Sequence, residues 1–373
     1  MRNPRNFDTF LPYGESLRPF LVQPFISKGD LKDLLRKRGV FISNTEKEHS
    51  IPALTTNLIT PSELETLRLT YSEKEENPKV TSRTLGWTSN TPLIECLPDD
   101  INLNQIVDLD FKNYQVTGTP FFTTVGSNLN HVILEFEVER LDKSNSWVEH
   151  SRLFKGSIEM IKPSNSGELI ITNTHTAPET KEVIAKLSAN LVNHFKTNGQ
   201  THSEAKINRI LFSDFDNAKR FNYFLSLTKQ SRYTCITFDE NVDAGLSPDN
   251  DLTPPPKLEW LKERIKNLNL SGNALDETLF FEEELRNYLI LHRLDCRFRF
   301  SISGHDGYCV MSFAFPDYSQ KNDVDAELEV KIKTISFEDT KNPKEKANIK
   351  LTIIKEVEHE KLDKFKKLKL VSL

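Results

Sequence analysis

Apolar positions change their period along the chain, and the change divides it into regions. Within residues 30–39, Leu31, Leu34 and Leu35 recur at i, i+3 and i+4, the spacing of one helix face. Lys32, Arg36 and Lys37 point away from that stripe, and Gly39 supplies the left-handed residue that ends a helix. A tight extended link follows. Thr45 with Glu48 then has the spacing of a capping box for a second helix, in which each side chain satisfies the other's orphan backbone donor. Pro52 lacks an N–H and crowds the preceding turn, so this second helix is predicted to be short or broken. Thr60, Pro61 and Glu63 place a cap, a proline at the first helical position and a reciprocal glutamate, and Leu64 and Leu67 give this third helix its apolar face. The polar run 71–78, ending in Pro78, reads as a linker.

The period then shortens to two. Leu134, Phe136 and Val138 alternate with Glu135, Glu137 and Glu139, the pattern of a half-buried antiparallel strand. Strands over 157–161 and 168–172 flank a polar hairpin loop at 163–167. A long helix is expected over 178–194, with Val183, Leu187 and Leu191 on one side. A short strand at 208–212 precedes a helix through Leu227 capped by Ser213 or Asp214, and 233–238 reads as a strand. Gly245, Pro248 and the prolines 254–256 mark a boundary. Beyond it, 258–268 and 282–292 read as helices, and 296–303, 307–315 and 327–337 as strands, with a turn at 305–307 and the last an edge or one-sided strand. The tail from Lys350 reads as a strand passing into a helix bearing Lys361, Lys364, Lys366, Lys367 and Lys369. Residues 80–120 carry no clear period.

Helices and antiparallel strands mix without regular βαβ alternation or an internal repeat, so the expected class is α+β. A small helical module (1–72) would precede a linker or irregular segment (73–120), an α+β domain (121–250) and a C-terminal α+β domain (251–373). The net charge of −5 excludes a global basic field, so any binding to nucleic acid must use a local patch. No apolar run reaches the ~18–20 residues that span a bilayer, and the N-terminus lacks a signal-peptide core. Cys96, Cys235, Cys296 and Cys309 are dispersed without C-x-x-C spacing, which points to buried thiols in a cytoplasmic protein and to no bound metal. Phosphate-loop, dinucleotide and hydrolase signatures are absent, and no cofactor is expected. The abundance of Lys, Asn and Ile suggests an AT-rich coding source, such as a bacterial mobile or defence element.

The layout over residues 28–60 resembles the helix–extension–helix modules of the SAP and HeH type, on Leu31, Leu34, Leu35, Arg38, Gly39, Ser43 and Lys47. Those modules bind DNA or RNA. The resemblance implies phosphate contacts through Lys32, Arg36, Lys37, Arg38 and Lys47. A second spacing, Asp317 followed by Glu329 and Lys331, is similar to the PD-(D/E)xK nucleases, where two acids hold Mg²⁺ and a lysine activates water. Asp317 at a strand exit, and Glu329 and Lys331 on a solvated strand face, argue against that chemistry. His175 lies at a strand-to-helix junction, where a hydrogen-bonding role outweighs acid–base chemistry in the absence of a partner. Residues 213–217 cluster oxygen ligands but lack the glycine and distal glutamate of a calcium loop. Arg297 and Arg299 share one strand face that could lie along phosphates. The leading reading is therefore a non-enzymatic nucleic-acid-binding or nucleoprotein-assembly protein, with DNA or RNA and a protein partner or second copy as its ligands. A protein–protein scaffold or regulatory subunit comes second, and a Mg²⁺-dependent nuclease third.

Overall fold

A computed structural model describes residues 13–371 apart from 24–25, 76–77, 99, 108–111, 142–150, 165–166, 230–234, 254, 273–274, 276–277 and 339–342. The predicted class holds: helices come first, then two antiparallel sheets with packed helices.

The N-terminal helices are α1 (Arg18–Leu21), α2 (Lys28–Lys37), α3 (Lys47–Thr55) and α4 (Pro61–Glu75). Ser27 caps α2 by accepting from the Asp30 amide, while the Asp30 carboxylate accepts from the Ser27 amide. Gly39, at φ +72°, ends it as foreseen. The Val40 amide bonds back to the Leu35 carbonyl and the Gly39 amide to that of Arg36, the paired closure of a glycine-stopped helix. The expected Thr45 cap does not form. Glu46 occupies the cap position without a side-chain bond, and the Thr45 carbonyl instead accepts from the Ser50 hydroxyl. Pro52 sits on the exposed side of α3 without breaking it, and the helix ends within a turn. Glu63 and Thr60 make the predicted box at α4, which runs on through the first part of the expected linker to Glu75. Leu17, Leu31, Leu35, Ile51, Leu54 and Leu67 share a core that draws only on residues 17–67 among its buried members.

The first sheet holds β1 (Lys79–Gly86), β2 (Tyr114–Thr117), β3 (Thr123–Val125), β4 (Asn128–Leu141), β5 (Ser151–Ile161) and β6 (Glu168–His175). Its order is β1-β6-β5-β4-β2, with β3 also on β4. The stretch read as irregular therefore supplies two strands. One face of the sheet buries Leu134, Phe136 and Val138 against α6 (Pro178–Thr197), with α5 (Leu103–Val107) packed beside it.

The second sheet holds β7 (Ile236–Pro248), β8 (Leu268–Ser271), β9 (Leu289–Ile302), β10 (His305–Ala314) and β11 (Glu329–Phe337), in the order β11-β10-β9-β7-β8. β7 thus pairs across the boundary expected near residue 250. The edge position of β11 is as predicted. Four local expectations are corrected. The helix at 282–292 is only a 3-10 turn over Glu283–Tyr288, because Leu289 onward pairs with β7. The β9–β10 turn is made by Ser303 and Gly304, at φ +52° and +80°, so His305 and Asp306 lie within the ladder. Residues 208–212 form two isolated bridges, Asn208 to Thr84 of the first sheet and Leu211 to Glu327 beside the second. Asp216 caps α7 (Asn217–Thr228), in place of Ser213 or Asp214. Of the strand expected at 233–238, residues 233 and 234 lie outside the described residues.

The remaining helices are α8 (Pro256–Arg264), α9 (Pro316–Lys321) and α10 (Pro343–Val371). α10 replaces the expected strand at 350 and joins the halves. Ile353 and Val357 enter the core of the second sheet, while Lys355, Glu358 and His359 bond to Glu159, Ser82 and Thr172 on the polar face of the first. Among the described residues no helix is long and apolar enough to cross a membrane.

Candidate nucleic-acid interface

The α2 stripe that buries Leu31, Leu34 and Leu35 turns the opposite side of the helix to solvent. Arg36 and Lys37 are exposed there, and Lys32 is half-buried beside them. None of the three pairs with an acid among the described residues. The glycine stop then directs Phe41 outward, leaving this ring 80% exposed. Lys32, Arg36, Phe41 and Thr45 border a crevice of about 70 Å³ whose base is Leu35, Val40 and Ile42. Cations and an unburied aromatic thus share one small surface.

The other two predicted cations are used internally. Arg38 forms a two-pronged ion pair with Glu63, its Nε 3.0 Å from one carboxylate oxygen. That guanidinium, together with bonds from Thr60, holds the Glu63 carboxyl down to about 2. Lys47 donates to the Val22 and Gln23 carbonyls at 3.3 and 2.7 Å, just past the end of α1. A cation there satisfies carbonyls that helix geometry leaves open.

The nuclease-like residues each find a partner on their own element. Asp317 accepts from Lys321 at 3.0 Å within α9, and Glu329 pairs with Lys331 at 2.5 Å on the exposed side of β11. Among the described residues no group of three or more His, Cys, Asp or Glu is arranged to hold a metal. His175 ends β6, and burial with the nearby Lys181 and Lys79 charges pulls its imidazole down to about 4, so it is neutral near pH 7. Arg297 pairs with Glu240 and Arg299 with Asp239, so these two arginines are committed to acids of β7. Asp214 accepts from the Leu211 amide and Asp216 caps α7, which accounts for the acids of 213–217. Cys96, Cys296 and Cys309 are buried free thiols, and Cys235 is half-buried and free.

Sequence reasoning missed Phe41. Its signal was an aromatic side chain in an extended link between two amphipathic helices, where no apolar face requires it.

Residues 15–77 match the family model for the GAPS4b protein N-terminal domain. The match spans α1 to α4 and ends beside β1. No curated protein matches the chain.

Proposed function

We propose that the N-terminal helices form a SAP/HeH-like nucleic-acid-binding module on a non-enzymatic nucleoprotein-assembly protein. The observation that carries this reading is the placing of Lys32 and Arg36 at the crevice that Phe41 borders, with Lys37 exposed on the same helix and none of the three paired with an acid among the described residues. Unpaired cations are the groups that can exchange counterions for phosphates, and the chain's net negative charge confines this exchange to a patch. The family match over residues 15–77 fits a defence-system component, in line with the compositional expectation of such an element. The two sheets and α10 would then carry contacts to a protein partner or a second copy.

The test is a salt-titrated binding assay of the full chain on duplex DNA, single-stranded DNA and RNA. Replacing Lys32, Arg36 and Lys37 together by glutamine should weaken binding across sequences. If all three meet phosphates on a duplex, the log–log salt slope should also fall by about 2–3. Unchanged affinity and slope in a folded triple variant would remove this reading.

A protein-contact role for the same module has its own support. Leu58 is 74% and Val22 50% exposed, which suits an apolar partner surface. Nucleic-acid binding that is absent in the parent, with a partner lost on Leu58→Asp, would favour that role.

A further inference from the structure

The face of the first sheet that turns toward α10 is polar, and the helix covers only part of it. Where covered, its groups are satisfied: Glu159 bonds to Lys355 and His131, Thr172 to Ser82 and His359, and the Ser82 amide to Glu358. Toward the N-terminal end of α10 the helix draws away, and a cleft of about 590 Å³ opens between the sheet, loop 117–120, and Asn348 and Leu351. That volume lies in the range of small-molecule sites.

The floor of the cleft is one cross-strand row. Glu135 on β4 stands opposite Ser157 on β5, and Ser157 opposite Thr174 on β6. All three side chains therefore project from the same face, about 4.8 Å apart from strand to strand. Thr174 is only 8% exposed, yet its hydroxyl bonds to no protein group. Glu135 and Ser157 make no hydrogen bond or ion pair with any described residue. A buried hydroxyl without a partner costs free energy, unlike the satisfied row beneath the helix. The row is complete as a set of acceptors and incomplete as a piece of packing.

The charge selects the ligand. Glu135 and Glu137 both line the cleft, against Lys155 alone. Lys155 leans to Glu137 at 3.7 Å from a side chain 81% exposed, which leaves the Glu135 carboxylate unopposed. A phosphate or carboxylate ligand would meet net repulsion here. A flexible amine meets an unpaired carboxylate, two hydroxyls and the Asn348 amide oxygen.

We propose that this cleft binds a small cationic amine of the polyamine class, with one ammonium on Glu135 and a further N–H on the Ser157 and Thr174 hydroxyls. This site is separate from the N-terminal patch and stands without it.

Titration calorimetry of the full chain at physiological ionic strength tests it, with spermidine, inorganic phosphate and ribose as probes. Spermidine should bind saturably at one site, with phosphate and ribose giving no binding. Glu135→Gln, at an exposed position, should weaken spermidine tenfold or more. Thr174→Val should weaken it several-fold without lowering the thermal midpoint of the free protein, because it removes an unpartnered hydroxyl. Ser157→Ala serves as the second floor variant if Thr174→Val fails to fold. Absence of saturable spermidine binding, unchanged affinity in a folded floor variant, or a preference for phosphate or ribose would each overturn the proposal.

Discussion

Glu63 does two jobs with one carboxylate. It closes the N-terminus of α4 by accepting from the Thr60 amide and hydroxyl at 2.8 and 2.7 Å, and it receives the Arg38 guanidinium from the end of α2. Glu63→Gln keeps an acceptor for the cap but loses the ion pair, and should destabilise the protein by about 1–3 kcal/mol in denaturant unfolding. Because the folded carboxyl lies near 2, below its ordinary value of 4.5, its contribution is complete above pH 4.5 and is lost as pH falls through about 2. The glutamine variant should lack that part of the acid loss. This pairing also shows why Arg38, one of the five cations named from the sequence, is turned toward the fold. Residue type and spacing mark Arg38 as a surface cation of a helix end. That an acid 25 residues later stands opposite it follows only from the packing of α2 on α4.

α10 is the element on which the two sheets meet. One side is apolar and enters the second core through Ile349, Ile353 and Val357. The other side is polar and reaches the first sheet through Lys355, Glu358, His359 and Lys366, the last to Glu168 at 2.5 Å. Glu358 is fully buried and Lys361 nearly so, and they pair at 2.7 Å. Taking one partner away leaves an uncompensated buried charge. Lys361→Met should therefore cost about 3–5 kcal/mol, while Lys361→Met with Glu358→Gln should cost clearly less than the sum of the single changes. Denaturant unfolding of the full chain reads this, and strict additivity would contradict it. The same two-sided character hid the helix. Leu351, Thr352, Ile353 and Ile354 form a β-branched, apolar run that reads as a strand when only one polar–apolar division is sought.

At the scale of the molecule, acid sensitivity gathers in buried histidines. Burial, with nearby cations, pulls His175 and His292 each to about 4, and burial also lowers His359, whose ring meets Thr172 at the α10 seam. A histidine neutral in the fold takes up a proton more readily once unfolded. Stability should thus decline as pH falls from about 6.5 toward 4, with little further change from these groups below that. Glu358 acts with the opposite sign, since burial raises its carboxyl. Denaturant midpoints at intervals from pH 7.5 to 4 measure the balance. A midpoint constant through this window would mean either that Glu358 offsets the histidines or that the histidines are solvated. His359→Gln should flatten the part of the decline that belongs to the seam.

Elements with one wet and one dry face were legible from the sequence alone. The α2 stripe with its Gly39 stop, the box at α4, the alternation in β4 and β11, and the long face of α6 each carry their period in apolar spacing, and together they set the α+β class. β1 was not legible, because the residues it buries include Ser82 and Thr84, which meet α10 and the 208 bridge rather than an apolar layer. Hydropathy records contact with water and is silent about polar surfaces buried against each other. The candidate sites divide the same way. Lys32, Arg36 and Lys37 were visible as cations. Tertiary structure alone decided that Arg38 and Lys47 serve the fold, that Phe41 is left outside, and that Glu135, Ser157 and Thr174 stand in one row. Each of those outcomes depends on partners that lie distant in the chain or across neighbouring strands, and that only packing brings within a hydrogen bond's reach.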